Sequence, residues 1–340
     1  MTTSASRTAF AEADLVRLTA ARAGDGHAFA VLVAPYRRPL HVHAYRLLGS
    51  VHDADDALQE ALLRAWQSID RYEPLAPFSA WLYRIETNVC LRMIERRPRA
   101  TSGLDEVEAF VASYLEPYPD ALLDELASDA PGPASAAEAR ESLTLCVVAA
   151  LQLLPAKQRA VLVLRDALGW SAREVAELLG DSVAAVNSAL QRARARLERE
   201  RQSGALARDY VAAPRAAEDA VMRRFLRAWE AVDVDAIVAL LSDDAVLTMP
   251  PEPMRVVGAE EIGTFFRTVP AQGALDRIRL LETRSNGQPA LAAYLADDDD
   301  VFRAYGVMVF ALDGDTITGI TGFADFPTLV PRFGLPAKLG

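Results

Sequence analysis

The sequence predicts two all-helical domains followed by an α+β domain. Apolar residues recur every three or four positions over residues 14–99 and again over 142–207, which is typical of amphipathic helices. From residue 214 onward, helical segments give way to short alternating segments separated by turn sequences, which indicates antiparallel strands. A chain of 340 residues is also long enough for two or three domains, each with its own core.

The first helical domain, residues 14–99, is interrupted at glycines. Gly24 and Gly26 break the helical period, and Gly49-Ser50 breaks it again. Helices are therefore expected over 14–23, 27–48, 53–69 and 79–97. Three aspartates fall in the first turn of the third helix, where carboxylates favour the helix dipole. Residues 1–13 are small and polar and are expected to form a flexible tail.

Residues 100–141 are expected to form an acidic linker between the helical domains. Within 101–141 there are ten acidic residues and one arginine, mixed with Gly, Pro and Ser without a sustained period. Residues 214–340 add nineteen acidic residues against twelve basic ones. The formal net charge of −11 therefore belongs to these two segments, and it does not argue against nucleic-acid binding by the helical domains.

The stretch LGWSAREVAELLGDSVAAVNSALQRARARL, residues 168–197, predicts two helices joined at Gly180, and Ser171 with Glu174 fits a capping box. The second helix has an apolar stripe on one face and polar residues followed by arginines on the other, a pattern typical of a helix that enters the DNA major groove. The alternative is an arginine-rich solvated helix of an all-α bundle. The candidate DNA-contacting residues are Ala184, Asn187, Ser188, Gln191, Arg192 and Arg194.

Two segments resemble one family. Residues 51–99, VHDADDALQEALLRAWQSIDRYEPLAPFSAWLYRIETNVCLRMIERRPR, resemble region 2 of the extracytoplasmic-function (ECF) subfamily of sigma-70 RNA polymerase sigma factors. The stretch LLPAKQRAVLVLRDALGWSAREVAELLGDSVAAVNSALQRARARL resembles region 4 of the same group. The two segments stand in the family's order and cover about half of the chain. The resemblance implies a sigma factor that binds core RNA polymerase and directs it to promoter DNA.

The resemblance also implies roles for individual residues. The helix that starts near Asp53 would dock on the β′ clamp of the polymerase, which together with the β subunit is the expected protein partner. The candidate polymerase-binding residues are Asp53, Asp55, Asp56, Gln59 and Glu60. The next helix would melt and hold the promoter −10 element, because unstacked bases need aromatic faces and amide edges. The candidate −10 residues are Tyr83, Asn88, Arg92, Arg96 and Arg97.

Region 4 would read the −35 element with the exposed face of its second helix. Family members often carry basic residues at the positions of Asn187 and Ala189, and this chain does not, which leaves its −35 preference open. The acidic linker has two interpretations. In the first, its carboxylates imitate phosphates within the nucleic-acid channel of the polymerase. In the second, it is a tether whose charge keeps the chain in solution.

The third domain, residues 214–335, has its own resemblance. The stretch FLRAWEAVDVDAIVALLSDDAVLTMPPEPMRVVGAEEIGTFF, residues 225–266, resembles the start of SnoaL-like domains, which have the NTF2-like, cone-shaped α+β fold. This implies a domain that regulates the sigma core in cis and contains a pocket, with a small ligand as a candidate partner. The candidate pocket residues, which core packing also explains, are Phe225, Trp229, Met249, Phe265, Tyr294, Tyr305 and Phe323.

Catalysis is not expected in the third domain. No histidine follows His52, which excludes a histidine-based mechanism there. Asp243, Asp244 and Asp325 are the remaining candidate bases, but each lies beside a turn sequence, where solvation explains it more simply. No Cys/His cluster suggests a metal and no glycine-rich loop suggests a cofactor. The alternatives from other classes are a ligand-sensing helix-turn-helix regulator, which would not need residues 51–99, and a SnoaL-type enzyme fused to a DNA-binding region.

The composition favours a cytoplasmic protein with no membrane partner. The N-terminus is polar, and no apolar run approaches the roughly 20 residues that a membrane helix needs. Cys90 and Cys146 both lie in apolar helical patterns and are expected to be reduced core residues.

Overall fold

The computed structural model describes residues 12–74, 77–97, 115–123, 143–203, 213–252, 254–324 and 326–339. Most of the predicted tail, most of the predicted linker and Asp325 lie outside these ranges. The chain divides into two compact units. The first contains residues 1–99 and 151–199, and the second contains residues 100–150 and 200–340.

The amino-terminal half of the first unit is a group of four helices. They are α1 Glu12–Arg22, α2 Gly26–Leu48, α3 Val51–Gln67 and α4 Phe78–Arg96. The glycine breaks lie where the sequence predicts them. The Asp25 side chain accepts hydrogen bonds from the first amides of α2, and Gly49 ends that helix in the left-handed conformation, with φ 76°. Ser50 then caps α3 through the Asp53 amide at 3.0 Å.

Four further helices follow the linker. They are α5 Leu145–Gln152, α6 Ala156–Leu162, α7 Ala172–Leu179 and α8 Val183–Ser203, with a π-helical segment, Val163–Ala167, after α6. The predicted capping box between Ser171 and Glu174 is present. Gly180 ends α7 in the left-handed conformation, with φ 68°, so α7 and α8 form the expected helix-turn-helix.

Arg159 fixes the helices after the linker against α2 within the first unit. Its side chain is almost fully buried and donates hydrogen bonds to the backbone oxygens of Leu47, Gln152 and Leu154 and to the side-chain oxygen of Gln152. The Gln152 amide in turn donates to the Arg46 carbonyl at 3.3 Å. The last carbonyl groups of a helix have no hydrogen-bond donors within the helix. The side chains of Arg159 and Gln152 supply these donors at the buried carboxyl end of α2.

The second unit is an α+β domain with a six-stranded mixed sheet. Its helices are α9 Arg215–Glu230, α10 Val234–Val238 and α11 Ala259–Thr268. Its strands are β1 Leu241–Thr248, β2 Arg255–Val257, β3 Ile278–Ser285, β4 Gln288–Ala296, β5 Phe302–Asp313 and β6 Thr316–Phe323. The strand order is β2-β1-β6-β5-β4-β3. Strands β3 to β6 form the predicted antiparallel meander, and β1 pairs with β6 in parallel. The sequence did not predict β2, which has only three residues.

An aromatic cluster joins the helices of the second unit to its sheet. The Phe225 ring lies 6.0 Å from Trp229 and 5.0 Å from Phe310, measured between centroids. The indole N–H of Trp229 donates to the Ile278 carbonyl at 3.0 Å, which satisfies its one buried polar group. Buried rings therefore hold α9 on the sheet.

None of the helices in the described ranges combines the length and the apolar character that crossing a lipid bilayer requires.

The structure predicts that Arg159→Met lowers the free energy of unfolding of the first unit by about 3 kcal/mol, because the substitution leaves buried carbonyl oxygens without donors. Urea unfolding followed by circular dichroism measures this difference. Arg173→Met is the matched control, since the Arg173 side chain is 84% exposed and should change stability by less than about 0.5 kcal/mol. Equal losses in the two variants would contradict the role of Arg159.

Candidate polymerase, promoter and linker-binding sites

Three of the predicted polymerase-binding residues form a polar strip along α3. Asp56 and Gln59 are exposed, and Glu60 is half-buried. Glu60 forms an ion pair with Arg64 one turn later, with a nitrogen-to-oxygen distance of 2.6 Å. This part of α3 presents acceptors to the solvent.

The other two predicted polymerase-binding residues are already engaged within the first unit. Asp53 forms an ion pair with Arg97, and the Asp55 carboxylate lies 3.0 Å from Nε2 of His41. Arg97, one of the −10 candidates, was expected to be exposed like Arg92 and Arg96, and this expectation is wrong. Its ion pair with Asp53 leaves only 11% of its side chain accessible.

The remaining −10 candidates lie along α4. Arg92 and Arg96 are exposed, and Asn88 is half-buried. Tyr83 is half-buried, since its ring lies 5.1 Å from the His43 ring and 5.7 Å from the Trp170 ring, measured between centroids. Trp170 belongs to the turn before α7, so the helix-turn-helix module covers Tyr83 in this structure. Burial raises the pKa of the Tyr83 phenol.

A groove of about 650 Å³ between α3 and α4 brings the two predicted sets together. Its α3 wall includes three polymerase-binding candidates and its α4 wall includes two −10 candidates. The groove is lined by Asp56, Gln59, Glu60, Leu63, Arg64, Val89, Arg92, Met93 and Arg96. Acidic side chains of α3 therefore face basic side chains of α4 across the groove.

The predicted −35 residues share one exposed face of α8. That face consists of Ala184, Asn187, Ser188, Gln191, Arg192 and Arg194, all of them exposed. The opposite face is buried at Val186, Leu190 and Ala193, whereas Val183, which the apolar stripe also predicts to be buried, is 44% exposed. Arg194 forms a bidentate ion pair with Asp166, at 2.7 and 3.0 Å, which holds its side chain beside the preceding helix.

The turn between β3 and β4, residues Ser285 to Gln288, binds part of the predicted linker within the second unit. We call this turn the clasp. Asn286 exchanges two hydrogen bonds with the Tyr118 backbone, one to each peptide group, at 2.7 and 2.8 Å. The Ser285 hydroxyl donates to the Tyr118 carbonyl at 3.1 Å, and the Asp120 carboxylate accepts from the Gly287 amide at 2.7 Å. Residues 115–123 are therefore held in place, which composition alone did not predict.

The clasp also binds the chain where it enters α5. The Asn286 side-chain amide donates to the Leu143 carbonyl at 2.7 Å. The Gln288 side-chain oxygen accepts from the Leu145 amide at 2.8 Å, and its nitrogen donates to the Phe310 carbonyl at 3.0 Å. Asn286 and Gln288 are both buried. Two buried amide side chains thus connect Tyr118 of the linker and the start of α5 to the sheet.

The second unit contains an apolar cavity of about 110 Å³ between α11 and the concave part of the sheet. Five of the predicted pocket residues line it: Trp229, Met249, Phe265, Tyr305 and Phe323. The prediction places Phe225 and Tyr294 there as well, but Phe225 packs inside the aromatic cluster and the Tyr294 hydroxyl donates to the Pro336 carbonyl at 2.9 Å. Asp243 and Asp244 are exposed and do not line the cavity.

Two buried ionisable groups lie beneath the face of α4 that carries the −10 candidates. Burial lowers the pKa of His43 to about 3, so its imidazole is neutral, and its Nε2 lies 2.9 Å from the Thr87 hydroxyl. Burial raises the pKa of the Glu86 carboxyl, and neither of its oxygens has a hydrogen-bond partner among the described residues. The interior below Tyr83 therefore disfavours the charged form of both groups.

Comparisons with known proteins agree with this architecture. Three family models match: Sigma-70 region 2 over residues 32–100, Sigma-70 region 4 over 144–197, and the SnoaL-like domain over 222–320. The ECF RNA polymerase sigma factor SigG of Mycobacterium tuberculosis is 40% identical over 331 residues, covering 94% of this chain and 86% of that protein. SigW of Bacillus subtilis is 32% identical over 184 residues, covering 54% of this chain and 94% of SigW.

A solved structure supports the same conclusion. The crystal structure of the ECF sigma factor SigJ of Mycobacterium tuberculosis matches with a TM-score of 0.57 at 26% identity, covering 90% of this chain and 99% of SigJ. Helical sigma-70 regions 2 and 4 followed by a SnoaL-like domain of mixed sheet define a multidomain sigma-70 protein. The chain belongs to the ECF family of RNA polymerase sigma factors.

The buried His43 predicts a stability loss in mild acid. The unfolded chain takes up a proton near pH 6.5, whereas the folded chain does so only near pH 3, so stability is present above pH 6.5 and is lost as the pH falls toward 3. We expect a slope of about 1.4 kcal/mol per pH unit from this group between those values. Urea unfolding measures the difference in the free energy of unfolding between pH 7.0 and pH 5.5. This difference should be smaller in His43→Asn than in the unmodified chain. The exposed His52→Asn is the control and should keep the full difference.

Proposed function

We propose that this chain directs core RNA polymerase to promoters with separate −10 and −35 elements and helps to melt the −10 region. The groove between α3 and α4 supports this role because it joins acceptor side chains for a protein partner to cationic side chains for DNA phosphates. The polymerase partners are the β′ clamp, contacted by α3, and the β subunit. The expected modules are residues 14–99 for the −10 element and 142–207 for the −35 element.

The exposed face of α8 supports −35 recognition. Small and amide side chains at its amino-terminal half allow close approach to base edges, and arginines follow for phosphates. The buried stripe opposite this face fixes its orientation on α7. DNA reading therefore requires no rearrangement within the helix-turn-helix itself.

Run-off transcription with purified core polymerase tests this function. We expect specific transcripts only when both the chain and core polymerase are present. Ser188→Ala combined with Gln191→Ala should reduce output from a −35-dependent promoter by roughly tenfold or more, because base contacts are worth about 1–3 kcal/mol each. Glu177→Ala, on the exposed face of α7, is the control and should retain output. Promoter opening by the chain without polymerase would contradict the proposal.

The C-terminal domain is proposed to regulate the sigma core in cis through the clasp. The linker joins the module that contacts the −10 element to the module that contacts the −35 element. A domain that binds 115–123 and 143–145 restricts the conformations of that linker, and so restricts the distances available to the two modules. The clasp is the observation that carries this proposal.

The domain is proposed to act as a binding module without catalytic activity. The cavity lining contains no carboxylate and no histidine among the described residues, so the general acids and bases that enzymes most often use are missing from it. A small ligand in this cavity is the proposed non-protein partner.

Two changes test regulation through the clasp. Truncation after residue 207 and Asn286→Gly should both change run-off output relative to the full-length chain, and in the same direction. Glycine accepts the positive φ of 58° at this position but removes the buried amide. Asp300→Gly is the matched control, since Asp300 also has a positive φ, of 57°, and is exposed outside the clasp. Identical output from the truncated and full-length chains would refute regulation in cis.

A further inference from the structure

The hairpin tip of the clasp has the sequence Asn-Gly, which is chemically reactive. The backbone nitrogen of Gly287 can attack the side-chain carbonyl carbon of Asn286, and glycine hinders this attack least because it has no Cβ atom. The new C–N bond closes a succinimide ring, and the amide proton of Gly287 leaves with the Nδ2 group as ammonia. Water then opens the ring, which leaves aspartate or isoaspartate at position 286. Of the three asparagines in the chain, Asn88, Asn187 and Asn286, only Asn286 precedes a glycine.

The structure holds both reacting groups in hydrogen bonds to the linker and to the start of α5. The backbone N–H of Gly287, which contains the attacking nitrogen, donates to the Asp120 carboxylate at 2.7 Å. The Asn286 amide accepts from the Tyr118 N–H at 2.7 Å and donates to the Leu143 carbonyl at 2.7 Å. The attack requires the Asn286 side chain to turn toward Gly287, which breaks these directional bonds. Asn286 is also fully buried, so the site of ring opening is shielded from water.

The linker therefore protects Asn286 from this reaction. Tyr118 and Asp120 belong to residues 115–123, and Leu143 lies just before α5. When this part of the chain leaves the clasp, the Asn286 side chain loses these partners at the tip of a two-residue turn and becomes accessible to water. A group that reacts only in an open form does so in proportion to the population of that form. The rate of reaction at Asn286 thus follows the fraction of time for which the clasp is open.

The product of the reaction does not fit the closed clasp. An aspartate carboxylate at position 286 has no N–H donor, so the Leu143 carbonyl loses its partner in a buried site. The new carboxylate also lies close to that of Asp120, which accepts from the neighbouring amide, and the two negative charges repel each other. Isoaspartate adds a methylene group to the backbone and shifts the register of the hairpin. Both products therefore favour the open form.

We infer that Asn286 is a modification site controlled by the linker: it deamidates when residues 115–123 leave the clasp, and deamidation then prevents the linker from binding again. The co-reactant is water, and the products are ammonia and a chain with aspartate or isoaspartate at position 286. A reversible opening of the clasp becomes permanent in this way. The inference deepens the proposed regulation in cis, and its consequence for transcription rests on that proposal. The chemical part is tested without polymerase or DNA.

Peptide mapping by mass spectrometry on the full-length chain tests the modification. Incubation in water enriched in heavy oxygen labels each asparagine that deamidates. The folded chain should react slowly at position 286, and the same chain unfolded in urea should react there roughly tenfold faster or more, because the linker no longer protects the site. In the unfolded chain, Asn88 and Asn187 are internal controls and should react more slowly than Asn286. Equal rates at position 286 in the folded and unfolded chains would overturn the inference.

Variants in the linker test whether it controls the rate. Tyr118→Ala removes the fully buried ring that fixes residues 115–123 and should raise the rate at position 286 toward that of the unfolded chain. Ala121→Ser, at an exposed position of the same segment, is the control and should leave the rate unchanged. Asp120→Ala, which removes the acceptor of the Gly287 amide, replaces the first variant if Tyr118→Ala does not fold. A folded variant that deamidates as slowly as the unmodified chain would contradict control by the linker.

Hydrogen exchange tests whether the product keeps the clasp open. Asn286→Asp reproduces one product and should speed amide exchange in residues 115–123 by roughly threefold or more. Gln272→Glu makes the same change from amide to acid at an exposed position of the second unit and should leave this exchange unchanged. Unchanged exchange in Asn286→Asp would refute release of the linker by deamidation.

Run-off transcription tests the consequence for regulation. Asn286→Asp should change the output in the same direction as truncation after residue 207. A change on truncation without a change in Asn286→Asp would count against the inference. No change on truncation would instead count against regulation in cis.

Discussion

The buried amide of Asn286 is the interaction on which the organisation of the second unit depends. A linker segment without regular secondary structure has backbone N–H and C=O groups that are not paired within the segment. Where such a segment is buried, these groups need hydrogen-bond partners from elsewhere. The Asn286 side chain accepts from the Tyr118 N–H through Oδ1 and donates to the Leu143 carbonyl through Nδ2, while its backbone N–H donates to the Tyr118 carbonyl. A side chain with one acceptor and two donors is suited to this task, and a positive φ brings it to the tip of the hairpin.

The first unit uses the same physical principle with a charged group. Arg159 and Gln152 supply donors to the carbonyl end of α2, where the helix itself offers none. In both units the decisive contacts are side chains that complete backbone hydrogen bonding, while apolar packing supplies the bulk of the stability. Such contacts are directional, so they fix the register of segments that hydrophobic packing alone would leave adjustable.

Much of the fold could be predicted from the sequence because its signals are local. Glycine breaks, caps and apolar periods depend on neighbouring residues, and they predicted the helices of the first unit and five of the six strands to within a few residues. The strand β2 was missed because three residues carry no period. The clasp was missed because it joins Tyr118 to Asn286, which lie 168 positions apart. The burial of Arg97 was missed for the same reason, since it depends on Asp53, which lies 44 positions away in the sequence.

The position of Trp170 has a consequence for the order of events at a promoter. Among the described residues, the Tyr83 ring has two aromatic neighbours. His43 of α2 is one of them, and Trp170, from the turn before α7, is the other. The indole edge occupies part of the space beside the phenol. Under the proposed function, in which Tyr83 stacks on a −10 base and the helix-turn-helix reads the −35 element, the segment carrying Trp170 would have to move from α4 before that stacking.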